Sequence, residues 1–348
     1  MLNIKQFPDL MAHKTILYVH GFASSGQSGT VQRIREVFPE ARVIAPDLPI
    51  HPAGAMTLLK ETCQQEHPDL IIGTSMGGMY TEQLYGYDRI CVNPALEMGE
   101  TMRAHGMTGT QQFQNPRQDG IQEFYVDKAL IKEYKEQSEH RFEGLTALSP
   151  SPPTNSASFD LHDSEPSPVN PPSGELSRVW GLFGDEDTIV DTYDLFASHY
   201  PQALHFHGEH RMNDHSFLHG VVPVIRWIDD RQQHRQRPIV YIGTETLADS
   251  YQHPASSMMK AVNQLIEHYQ VYFVSDNHDQ WQPWLQQHVG VPAWHHDVYT
   301  HRRDLLYGDY LISRHPDPDT MATPIAFGSD KFKSWDDIID YFSLLGGQ

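Results

Sequence analysis

The chain has 348 residues, of which 39% are hydrophobic and 11% aromatic, enough apolar material for two domains. Its 45 acidic residues against 25 basic ones give a formal net charge of -20, which argues against nucleic acid or an anionic membrane as a main partner. No apolar run approaches membrane-spanning length, and Met1 to Lys14 holds no apolar leader core, so a cytoplasmic protein is expected. The two cysteines, Cys63 and Cys91, fit a reducing compartment rather than a disulfide framework.

Thr15 to Val19 reads as a strand and runs into His20-Gly21-Phe22. Helix Thr30 to Phe38, strand Arg42 to Ala45 and helix Pro52 to Gln65 follow. The central stretch is Asp69 to Met79. An apolar strand, Leu70 to Ile72, enters Gly73-Thr74-Ser75-Met76-Gly77, and a helix is expected over Met79 to Tyr85. This is the G-x-S-x-G pattern in the strand-turn-helix setting that a serine nucleophile requires. The glycines are expected because a side chain at position 73 or 77 would collide with backbone beside the strained serine. The Met76 N–H at the helix start is the first candidate donor to an oxyanion, and the Phe22 N–H the second.

Strand Arg89 to Val92 extends the alternation, which predicts a parallel sheet. Residues 97–144 break it and read as a lid-like insertion with a helix over Asp127 to Phe142. Residues 149–177, rich in Pro, Ser, Asn and Asp, read as a disordered insertion with no chemistry in it. The sheet resumes at Arg178 to Phe183 and runs into Gly184-Asp-Glu-Asp187-Thr-Ile-Val190. Asp187 is the candidate acid, with Asp185 as the fallback. After helix Val190 to Ser198 and strand Ala203 to His207 comes Gly208-Glu-His210; His210 is the candidate base, with His215 and His219 as alternatives. A helix over Phe217 to Asp230 closes this domain, 1–231. The order nucleophile, acid, base is the one found on α/β-hydrolase sheets.

On YVHGFASS, IIGTSMGGMYTEQL, VNPAL, GDEDTIVD and GEHRM, residues Ile16 to Ile228 resemble the small bacterial α/β-hydrolases of the YqiA/YcfP type. The resemblance implies an esterase or thioesterase-like activity carried by Ser75, Asp187 and His210, with a small acyl ester or thioester as substrate and no cofactor. His295-His296 and His205-x-His207 invite a zinc reading, but no H-E-x-x-H or cysteine-rich spacing accompanies them, and no metal is expected.

Residues 232–237 are basic and polar and read as a linker. A second α/β domain, 238–348, follows: strand Pro238 to Ile242, helix Ser256 to His268, strand Val271 to Ser275, helix Trp281 to Val289, strand Tyr310 to Ile312 and helix Trp335 to Leu345. On LADS, KAVNQLIEHYQVYFVSD, RRDLLYGDYLI and FGSDKFKSWDDIIDYF it resembles the haloacid-dehalogenase-like phosphatases of the 5′(3′)-deoxyribonucleotidase branch. That family needs two Asp residues at the end of the first strand. Here the segment reads Tyr241-Ile-Gly-Thr-Glu245-Thr-Leu247. Ser275 matches the second-strand Ser/Thr, Arg303 replaces the lysine, and Ser313-Arg314 stand where an acidic pair would help hold magnesium. The resemblance therefore implies a degenerate domain that has kept the fold and lost the catalysis; its present role is open between dimerisation, which would make the chain a homo-oligomer through this domain, a lid and ligand sensing.

Overall fold

A computed structural model describes residues 4–146, 173–250, 253–317 and 319–345. The chain divides into two compact units, Met1–Val221 and Val222–Gln348.

In the first unit β1 (Thr15–Val19), α1 (Gly29–Val37), β2 (Arg42–Ile44), α2 (Pro52–Glu66), β3 (Leu70–Thr74), α3 (Met76–Glu82) and β4 (Arg89–Val92) alternate as expected. Next come α4 (Met98–Ala104), a two-stranded hairpin of β5 (Gly109–Gln112) and β6 (Glu123–Val126), α5 (Lys128–Glu139) and the single turn α6 (Glu143–Thr146). The unit resumes with α7 (Ser173–Leu176), β7 (Val179–Gly184), α8 (Tyr193–Ala197), β8 (Ala203–Phe206) and α9 (Asp214–Ser216), which leads into a π-turn over Phe217–Val221. The sheet order is β2-β1-β3-β4-β7-β8, every pair parallel. This is the α/β-hydrolase type of parallel sheet.

Local chemistry explains the elements. Strands β3 and β4 carry the apolar runs Leu70 to Ile72 and Ile90 to Val92 because parallel central strands are covered on both faces, and Leu70, Ile71, Ile72 and Ile90 are fully buried. Helix α2 buries Ala55, Met56, Leu59 and Cys63, one face at helical spacing. Helix α5 starts where the Asp127 carboxylate accepts from the Leu130 N–H at 2.8 Å.

Two expectations need correction here. Helix α3 begins at Met76, directly after Ser75, rather than at Met79, because the turn is completed within one residue. The Pro/Ser-rich insertion was expected to run to 177. Residues 147–172 lie outside the described ones, but Ser173–Leu176 form a helical turn whose Glu175 pairs with the fully buried Arg89 and accepts from the Gly86 N–H. A buried guanidinium needs a carboxylate, and this pairing gives the end of the insertion a defined place.

The second unit opens with α10 (Val222–Gln232) and continues through β9 (Ile239–Gly243), the small pair β10 (Ala248–Ser250) and β11 (His253–Pro254), α11 (Met258–His268) and β12 (Gln270–Ser275). It ends with α12 (His278–His288), β13 (Asp297–Tyr299), β14 (Tyr310–Ser313), β15 (Thr323–Ala326) and α13 (Trp335–Leu344). The sheet order is β13-β12-β9-β14-β15, all parallel, a doubly wound arrangement. The composition predicts the boundary at the linker 232–237. Helix α10 instead groups with the second unit: Arg226 donates to the Glu267 carbonyl at 3.2 Å and Trp227 stacks on His296 at 5.1 Å. The expected linker holds Arg237, which makes a forked pair with Asp230. Strands β13 and β15 escaped the sequence reading because one is three residues long and the other carries Pro324, which a sheet edge tolerates.

Candidate active site

The turn after β3 holds Ser75 at φ 55°, ψ -122°, a backbone state that L-residues adopt only under constraint. The constraint comes from its neighbours. A Cβ on Gly73 would lie 2.1 Å from the Thr81 hydroxyl and 2.3 Å from the Gly77 carbonyl oxygen, and one on Gly77 would lie 2.0 Å from the Val19 carbonyl oxygen. Only glycine at both positions lets α3 pack this close to β1 and β3.

His210 and Asp187 reach Ser75 from the ends of β8 and β7. The His210 Nε2 lies 3.0 Å from the Ser75 Oγ, and its Nδ1 lies 2.8 Å from an Asp187 carboxylate oxygen. Asp187 also accepts from the Ile189 and Val190 N–H groups at 2.7 and 3.1 Å. Burial pushes its carboxyl up, but the His210 ring and these two N–H groups outweigh burial and hold it below the usual range. The Asp187 contact assigns the Nδ1 proton, so Nε2 faces the serine as an acceptor.

The fallback residues stand elsewhere. Asp185 accepts from the Gly208 N–H at 3.0 Å and sits 3.4 Å from the His207 ring. His215 is exposed and packs its ring on His219, with centroids 4.5 Å apart. The Phe22 and Met76 N–H groups have no acceptor among the described residues. Phe22 turns its ring onto Phe124 and Tyr134, while Gly21 lies against Ser75.

Two supporting residues were not read from the sequence. Asn93, at the end of β4, is buried with φ 43°; its carboxamide oxygen accepts from the Gly184 N–H at 2.7 Å, and its nitrogen donates to the Glu209 and His210 carbonyls, each at 3.1 Å. The available signal was an Asn directly after a strand, since Asn tolerates positive φ. His20 is buried beneath the Phe22 turn. Its Nε2 accepts from the Leu48 N–H at 3.1 Å, so Nδ1 carries the proton and donates to the Gly21 carbonyl at 2.9 Å. Burial pulls its pKa down to about 4, so the ring is neutral near pH 7.

Ser75 and His210 open into a cavity of about 850 Å³. Met98, Thr101 and Met107 line it from the 97–144 segment, which is tied to the Phe22 loop by the Gln114 N–H donating to the Ala23 carbonyl at 2.8 Å and the Ser25 hydroxyl to the Pro116 carbonyl at 2.7 Å. Tyr18, Ser28, Thr30 and Arg33 line another part of the cavity, from β1 and α1. Among the described residues no group of three or more His, Cys, Asp or Glu side chains could hold a metal ion, and no helix is long and apolar enough to cross a membrane.

In the second unit Glu245, just past β9, is committed to its neighbours. Its two carboxylate oxygens each accept from Arg303 at 3.0 Å, one also accepts from the Ser313 hydroxyl at 2.6 Å, and its carbonyl accepts from the Arg314 Nε at 2.8 Å. Burial raises its pKa, but Arg303 and Ser313 outweigh that and lower it overall.

Residues 15–146 match the model of an uncharacterised protein family, UPF0227. The C-terminal part is similar to a Vibrio phage KVP40 protein provisionally named a 5′(3′)-deoxyribonucleotidase, with 27% identity over 100 residues, 26% of this chain. The chain spans 59% of the length of that relative. Among solved structures it is similar to Est1E from Butyrivibrio proteoclasticus with bound ferulic acid (10% identity, 66% of this chain, 92% of that one, TM-score 0.38). It is also similar to a thioesterase domain from a curacin biosynthetic pathway (15% identity, 64% of this chain, 92% of that one, TM-score 0.33).

Proposed function

We propose that the protein is a serine hydrolase that cleaves carboxylic esters or thioesters through an acyl-enzyme. The observation that carries this reading is the continuous hydrogen-bonded chain Asp187–His210–Ser75 at the mouth of the cavity. His210 Nε2 takes the Ser75 proton as Oγ attacks the acyl carbon. The tetrahedral oxyanion is held by the N–H groups of Phe22 and Met76. His210 then returns the proton to the departing alkoxide or thiolate, leaving the acyl group on Ser75. A water molecule repeats the attack, His210 serving first as base and then as acid, and the carboxylic acid leaves. Asp187 stays ionised throughout and stabilises the imidazolium.

The second unit, on the same reading, is a pseudophosphatase: phosphoryl transfer to an aspartate needs a free carboxylate, and Glu245 is bound to Arg303. The two cysteines are unpaired and buried, which supports a cytoplasmic location.

The experiment is labelling with a fluorophosphonate probe, followed by hydrolysis of p-nitrophenyl butyrate and of its thioester counterpart. Labelling at Ser75 and turnover lost in Ser75→Ala are expected. Unlabelled protein, or a Ser75→Ala variant with full turnover, would sink the proposal.

A further inference from the structure

The turn that carries Phe22 does not hold its own shape. Ala23 stands at φ 54°, in the left-handed region that a residue with a side chain adopts only when its surroundings require it. Within residues 20–26 the described backbone closes one bond on itself, from the Ser24 N–H to the Gly21 carbonyl at 3.3 Å. The remaining support comes from outside the turn. The Gln114 N–H holds the Ala23 carbonyl, and the Ser25 hydroxyl holds the Pro116 carbonyl.

The other outside contacts converge on Asp47 and Leu48, just past the end of β2. One Asp47 carboxylate oxygen accepts from the Gly26 N–H at 2.8 Å, and the other accepts from the Gln118 N–H at 2.6 Å. The Leu48 N–H donates to the His20 Nε2 at 3.1 Å, and its carbonyl accepts from the Arg117 Nη1 at 3.1 Å. These two residues therefore grip the turn at both ends, His20 and Gly26, and fasten it to Arg117 and Gln118 of the 97–144 segment. The approach at Gly26 is close: a Cβ there would lie 2.0 Å from the Ala45 carbonyl oxygen. Both bonds to the Asp47 carboxylate are charge-assisted, and each oxygen serves a different segment, so the side chain is a bridge. Asp47 does not line the catalytic cavity, so it can act on the reaction only through the turn it holds.

We propose that Asp47 is a positioning residue for the oxyanion hole, its carboxylate locking the 20–26 turn to the 97–144 segment so that the Phe22 N–H faces the oxyanion. This rests on the hydrolase reading above. An oxyanion donor contributes fully only when it is in place before the charge develops. With Asp47 in place the strained turn stays set. Without it, Gly26 and Gln118 lose their common acceptor and the Phe22 N–H is free to turn away.

The test compares two ligands of equal chain length by calorimetry, trifluoromethyl butyl ketone and methyl butyl ketone. Ser75 Oγ adds to the activated carbonyl carbon of the first, its proton passes to His210, and the carbonyl π pair becomes an oxyanion at the Phe22 and Met76 N–H groups. The second, weakly electrophilic, binds without adding. Wild type is expected to bind the trifluoromethyl ketone at least about a hundredfold more tightly. Asp47→Ala should cut that ratio at least about tenfold, and kcat for p-nitrophenyl butyrate by a similar factor, with KM moving less than about threefold. Asp47→Asn, which keeps one acceptor oxygen, should lose less, and it carries the test where Asp47→Ala does not fold. Ser25→Ala, which cuts one tie between turn and segment, should move the ratio the same way by a smaller factor. A purely structural role would lower melting temperature and leave the ratio alone, so folded Asp47 variants with the wild-type ratio would overturn the proposal while the hydrolase reading stands. A wild-type chain that neither hydrolyses the ester nor separates the two ketones overturns the hydrolase reading and this proposal with it.

Discussion

Asn93 and His210 are joined by a hydrogen bond from a side chain to a backbone: the Asn93 carboxamide nitrogen donates to the His210 carbonyl oxygen at 3.1 Å. The same carboxamide accepts from the Gly184 N–H, so one buried side chain ties the ends of β4 and β7 to the histidine loop. On the hydrolase reading proposed above, Asn93 touches no reacting atom and acts as a positioning residue. Asn93→Ala should cost about 2–4 kcal/mol, because buried backbone groups lose partners and alanine disfavours the positive φ. Asn93→Asp keeps an acceptor for the Gly184 N–H and loses both donations. Its kcat should fall at least about tenfold while KM moves little, measured with p-nitrophenyl butyrate; a purely structural role would lower melting temperature without that split.

His210 and His215 make opposite predictions. His210→Ala should lower kcat/KM by several powers of ten, the scale of losing a triad base. His215→Ala should stay within a few-fold of wild type, since its exposed ring packs on His219 away from Ser75. A large loss confined to His215→Ala would reverse the assignment.

His20 should give the first unit an acid-sensitive stability. Its folded pKa is about 4 against an ordinary value of 6.5. Above about pH 6.5 the ring is neutral in both states and the stability is fully present. As pH falls toward 4 the unfolded chain takes up a proton that the folded chain refuses, and about 3 kcal/mol is lost across that window. Melting temperatures of wild type and His20→Asn at pH 7 and pH 5 check this. The variant should be less stable at pH 7 and should lose less on acidification. Parallel curves would remove His20 as the cause.

Glu175 sets the limit of what can be trimmed. Deleting residues 150–170 should leave melting temperature and turnover near wild type. A deletion of 150–177 also removes the partner of Arg89 and should be clearly less stable. Glu175→Ala should reproduce most of that loss, about 2–4 kcal/mol, since Arg89 is fully buried. Equal stability of the two deletions would show that the Arg89 pair contributes nothing.

The second unit should show no magnesium-dependent phosphatase activity in the full-length chain. Nucleoside monophosphates and p-nitrophenyl phosphate, with millimolar magnesium, are the assay. Glu245→Gln should lower stability, because Arg303 loses its carboxylate, and should remove no turnover. Magnesium-dependent turnover that disappears in Glu245→Gln would make the domain an enzyme.

The sequence by itself determined the main strands of both sheets and the turn that holds Ser75, but not the short strands β5, β6, β10, β11, β13 and β15. The Leu70 to Ile72 run could only be a covered parallel strand, Gly73 and Gly77 only a tight turn, and Ser75, Asp187 and His210 stood at strand ends in hydrolase order. What it left open were matters of distance across the chain. Asp185 and Asp187 are two residues apart in one loop, and only the packed loop decides which carboxylate meets the His210 ring. Asn93 is 117 positions from His210, and Arg89 is 86 from Glu175. No periodicity or motif records such pairs, because they form when buried polar groups must find partners and the nearest one comes from another element. How α1 begins is likewise decided by the tertiary structure. Only the fold leaves the Ser28 hydroxyl buried and without a hydrogen-bond partner among the described residues.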